Sequence, residues 1–75
     1  MKLHGDIIEN LRYAVQSAVR LRGHRIHSDT LTFWAEMLTY ARQESQRSDA
    51  DRRLMLDGLI EKLESEIADR NASFP

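Results

Sequence analysis

Apolar residues recur along this chain with the period of a helix, and nowhere do they alternate as a strand would. The first periodic stretch runs from about Asp6 to Arg22. Ile7, Ile8, Leu11, Ala14, Val15, Ala18, Val19 and Leu21 fall on one face about 160° wide. Asp6 is a good N-cap, and Glu9 three residues on makes a capping-box-like pair with it. Gly23 follows as the residue able to take the left-handed conformation at a helix end. Arg20 and Arg22 stand in the last turn, where they complement the negative end of the helix dipole.

The second stretch runs from about Asp29 to Gln46, with Ser28 or Asp29 as its cap. Leu31, Phe33, Trp34, Ala35, Met37, Leu38, Tyr40 and Ala41 cover about 220° of its wheel, more than one partner helix buries. The pattern therefore predicts that this helix is the central one. It also predicts that part of it, the ridge Phe33, Met37 and Tyr40, faces another molecule. The third stretch runs from about Asp49 to Arg70, started by Ser48 and Asp51. Leu56, Leu59, Ile60, Leu63 and Ile67 form a stripe of about 100°, close to a coiled-coil seam, with Leu54 opposite it. Gly58 sits in the middle of this helix at a cost of about 1 kcal/mol relative to Ala.

These segments predict an all-α fold in a single domain spanning residues 1–75. It is a small three-helix bundle with helices at about 6–22, 29–46 and 49–70 and a frayed tail at 71–75. Helices one and two form an antiparallel hairpin, and the third packs along it. The predicted core is Ile8, Leu11, Val15, Ala18, Leu31, Trp34, Leu38, Leu56, Leu63 and Ile67.

Length changes the picture. A chain of 75 residues buries only about 60% of its unfolded surface. Small domains add disulfides, a metal or a second copy of themselves. With no cysteine, disulfides and thiolate zinc sites are excluded, and self-association remains. A homodimer is therefore expected. The net charge of −1 is unevenly spread, with +3 over residues 1–27 and −3 over residues 48–75. A basic front and an acidic back can pair within a chain or between chains. For the homodimer, the expected contact lays the basic front of one copy on the acidic third helix of the other. No apolar run is long enough to span a membrane and no signal core opens the chain, so a cytoplasmic protein is expected.

Candidate chemistry is confined to one cluster. The run Arg20-Leu21-Arg22-Gly23-His24-Arg25-Ile26-His27 holds three arginines and two of the three histidines. Arg20, Arg22, His24, Arg25 and His27 are the expected partner-binding residues, since guanidinium groups bind carboxylate and phosphate in bidentate fashion. The histidines add a pH-responsive element. A metal held by His4, His24 and His27 is not expected, because two of these lie in a turn and no third carboxylate but Asp29 is near. No metal or cofactor is expected. Ser28, Asp29 and His27 are neighbours in sequence, and adjacent turn residues do not build a catalytic triad, so no enzyme is expected.

The function read from the sequence is a small non-enzymatic module that regulates, inhibits or escorts a protein partner. The alternative is a small nucleic-acid-binding regulator using the basic turn. Against it, the second helix is the most apolar of the three and offers only Thr30, Thr32 and Glu36 near its start to read bases. Size and helix plan are similar in shape to small bacterial or phage accessory proteins, an analogy of shape that does not carry function.

Overall fold

The computed structural model describes residues 6–72. Three helices, α1 (Ile7–Arg20), α2 (Ser28–Arg47) and α3 (Ala50–Ala72), follow one another without a strand among the described residues. Each start has a side-chain oxygen or nitrogen that satisfies an orphan amide. Asp6 caps α1 by accepting from the Ile8 N–H at 3.2 Å. Asp49 accepts from the Arg52 N–H at 2.9 Å and so caps α3. The cap of α2 is neither Ser28 nor Asp29 but His27, whose Nδ1 accepts from the Asp29 N–H at 3.1 Å. An imidazole nitrogen is a rare cap, and the sequence gives no sign of it.

α1 ends at Arg20 rather than Arg22. Its last turn tightens as the Arg22 N–H bonds to the Val19 carbonyl, and Gly23 then takes φ +80°. α3 continues to Ala72, two residues beyond the expected end, and residues 73–75 of the expected tail lie outside the described residues.

The core holds Leu11, Ala14, Val15 and Ala18 from α1, Trp34, Met37, Leu38 and Ala41 from α2, and Leu56, Ile60 and Leu63 from α3, with Ile7 and Ile8 at one end. Leu31 and Ile67, expected in the core, are only half-buried against it. Ion pairs fix the helix directions. Asp6 meets Arg52 at the start of both α1 and α3, and Arg22 meets Glu66 toward the end of both, so these two helices run parallel. Arg42 meets Glu64, and Ser45 meets Asp57, so α2 runs antiparallel to α3.

The central helix is α3, not α2. It lies against both neighbours along its length, whereas α1 and α2 touch each other more sparingly. An apolar stripe of about 100° understates the face α3 buries, because it counts only apolar residues. Glu66 is buried at 5% exposure and Arg70 is half-buried, so the α1-facing side of α3 is completed by charged residues that are paired. Leu54 is 75% exposed, on the side of α3 away from both neighbours.

Candidate functional site

The sparse contact between α1 and α2 leaves a groove of about 330 Å³. Tyr13 and Ala14 of α1 and Leu21 just past its end line one side, and Phe33, Trp34 and Met37 of α2 the other. Asn10, Ser17, Asp29 and Thr30 supply polar edges. Trp34 and Met37 are each 3% exposed and form the floor, while Tyr13 at 69% stands on the α1 lip. The helix period places Phe33, Met37 and Tyr40 at i, i+4 and i+7 on one side of α2. The expected interface ridge therefore divides. Met37 belongs to the monomer's own core, Phe33 is half-buried on the groove wall, and Tyr40 is 47% exposed beyond it. The sequence reading missed Tyr13, which lies well outside the α1 apolar stripe, so the hydrophobic pattern gave no signal for it.

The basic turn adjoins one end of this groove through Leu21. Arg20, Arg22, His24, Arg25 and His27 are all exposed, but they are not equivalent. Arg22 is committed to the fold. Its Nε donates to Glu66 Oε1 at 3.0 Å and its terminal nitrogen donates to Glu66 Oε2. Glu66 also lies 3.6 Å from Arg70. The Arg22 hydrogen bond holds the Glu66 carboxyl below the ordinary range, against the opposing effect of burial. Arg70 in turn donates to the Ala18 carbonyl and to the Glu66 carbonyl, so it closes the C-terminal end of α1. Its guanidinium lies 5.7 Å from the centre of the Trp34 ring, and its buried Nε has no hydrogen-bond partner. One network thus ties the basic turn to the groove floor.

His24 Nδ1 lies 3.2 Å from the Arg22 carbonyl, and His27 is occupied as the α2 cap with the Asp29 carboxylate 3.6 Å away. Arg20 and Arg25 make no ion pair among the described residues. At the opposite end of the molecule Arg52 donates to both Asp6 oxygens at 2.9 and 2.6 Å. That pair, with the Ile8 amide, lowers the Asp6 carboxyl to about 2.

His4, the third histidine considered for a metal, lies outside the described residues. Among the described residues, no three His, Cys, Asp or Glu side chains cluster to hold a metal ion. No helix there is long and apolar enough to cross a membrane. The chain matches no known protein family, no curated protein and no solved structure.

Proposed function

We propose that this chain is a non-enzymatic protein-interaction module that self-associates and regulates, inhibits or escorts a protein partner in the cytoplasm. One observation carries the reading: between α1 and α2 aromatic side chains line an open, largely apolar groove. Aromatic residues around a partly desolvated pocket are the residue types that dominate protein interfaces. The basic turn at the end of the groove supplies exposed guanidinium groups suited to carboxylates of an acidic partner.

A photo-crosslinking residue in place of Tyr13 tests this in the native host. Tyr13 stands exposed on the α1 lip, so the probe leaves the core intact. The expected result is a crosslink to protein that persists after nuclease treatment. Recovery of nucleic acid alone refutes the reading. A phosphate-driven complex would also lose affinity steeply with ionic strength, in proportion to the phosphates neutralised.

A further inference from the structure

At the end nearest the basic turn the two lips of the groove carry opposite charge, while Glu9, four residues before Tyr13, adds an exposed acid further along the α1 lip. On the α1 side Arg20 is exposed seven residues on from Tyr13, hence on the same side of the helix, and Arg25 follows in the turn. On the α2 side Asp29 and Glu36, also seven residues apart, are both exposed. Heights along the groove correspond as well. Leu21 and Asp29 line one end and Tyr13 and Met37 lie further along, so Arg20 stands level with the first turns of α2.

We propose that a second copy of the chain occupies this face, related to the first by a two-fold axis running along the groove. This rests on the reading that the groove is an interaction surface, and it names the occupant. Such an axis lays α1 of one copy antiparallel on α2 of the other. It closes a four-helix layer pair in which every neighbour is antiparallel. Arg20 of each copy then meets Asp29 of the other, with Glu36 about 10 Å further along, and Tyr13 and Phe33 of both copies cover a shared apolar floor. A two-fold running across the helices instead brings lips of like sign together. The basic front does not need the acidic α3 of another copy to answer Arg22, which already pairs with Glu66 of α3 within one chain.

The face is about 20 Å across two helices and about 21 Å along α1, which gives on the order of 1,000 Å² of surface buried between two copies. That is the lower edge of specific interfaces, so the dimer should dissociate in the micromolar range or above. The axis also keeps both basic turns at the same end of the dimer. An acidic partner arriving there meets two sets of exposed arginines.

Sedimentation velocity across a concentration series up to about 1 mM tests the proposal. The parent is expected to dimerise and Tyr13→Glu to remain monomeric. Arg20→Glu and Asp29→Arg each weaken dimerisation by about five- to tenfold, since the symmetry counts each change twice. The double variant Arg20→Glu with Asp29→Arg restores it to within about twofold of the parent. All these changes fall on exposed side chains, and circular dichroism confirms the fold of each variant. A double variant weaker than either single one overturns the proposed axis. A parent that is monomeric throughout overturns the second copy as occupant. If Tyr13 then still crosslinks a foreign protein, the groove remains an interaction surface; if it crosslinks nothing, both readings fall.

Discussion

Replacing Trp34 with Ala tests how the three helices are held. The indole is 3% exposed, packs in the core shared by all three helices and forms part of the groove floor. Over it lies the Arg70 guanidinium, whose other contacts reach α1 through the Ala18 carbonyl. Truncation of a buried Trp to Ala costs about 3–5 kcal/mol through lost transfer energy and the cavity left behind. Loss of the cation–π contact adds about 0.5–2 kcal/mol. A domain of this length has roughly 4–11 kcal/mol of total stability. The substitution therefore removes a third or more of it. At about 4–8 °C per kcal/mol for so small a domain, melting should fall by at least about 12 °C. Far-UV circular dichroism is the assay, because Trp34 is the chain's single tryptophan and its own fluorescence is lost with it. Trp34→Phe, which keeps an aromatic ring in place, should retain more than half of the lost stability. A Trp34→Ala variant melting within about 3 °C of the parent refutes the argument.

Three further outcomes follow from particular contacts. Arg22→Ala should lower the melting temperature, because Glu66 is left buried with Arg70 alone, while Arg20→Ala and Arg25→Ala leave it unchanged; thermal melts of the three single variants decide this. Gly58→Ala should raise stability by about 0.5–1 kcal/mol, since an added Cβ meets nothing within 4 Å. Gly23→Ala should lower it by about 1–2 kcal/mol, since φ +80° is strained for a side chain; urea titration of both variants is the check. The Asp6 carboxyl lies at about 2 in the folded protein against an ordinary 3.8, and Glu66 is displaced in the same direction. Both are depressed on folding, so their stabilisation is complete above the unfolded values and is lost as pH falls through the folded ones. Melting temperature should be level down to about pH 5 and fall between about pH 4 and 2, and the fall should be shallower in Arg52→Ala.

The helices were legible because apolar period and caps agree. Asp6 before Ile7 marks the start of α1 as the sequence predicts, and Gly23 takes its positive φ at the end. Leu11, Trp34, Leu56 and Leu63 are core in both readings. The arrangement of the helices was not legible from hydrophobicity. Glu66 and Arg70 occupy interior positions of α3 that a search for apolar stripes discards, yet they decide which helix is central. Their register was the available signal: Leu59, Leu63, Glu66 and Arg70 follow one another at i, i+4, i+7 and i+11. Only a partner 44 positions away, Arg22, makes a glutamate there acceptable, and no local pattern reports such a pairing. The groove was half legible. A surplus of apolar surface on α2 was evident, but its position opposite Tyr13 depends on how α1 and α2 splay around α3.

The basic turn shows why density of charge in a sequence is a poor measure of a site. Eight consecutive residues offer five cationic or titratable side chains, and folding divides them by task. Arg22 neutralises a buried carboxylate, so its charge is already answered within the chain. His27 accepts a backbone hydrogen bond through Nδ1, a role open only while that nitrogen carries no proton. His24 lies against the Arg22 carbonyl. Within the turn, Arg20 and Arg25 keep guanidinium groups that make no ion pair among the described residues. Two exposed cations give a single copy little electrostatic hold on any partner, because isolated surface pairs contribute about 0–1 kcal/mol each. Two copies sharing an axis along the groove place two such turns at one end, where the second contact forms at the effective concentration set by the first. Binding of an acidic partner should therefore weaken in parallel with dimerisation in Tyr13→Glu, although Tyr13 lies off the basic turn. Titration of a fluorescently labelled acidic peptide against parent and variant measures this. Equal affinity for both would mean that each turn acts alone.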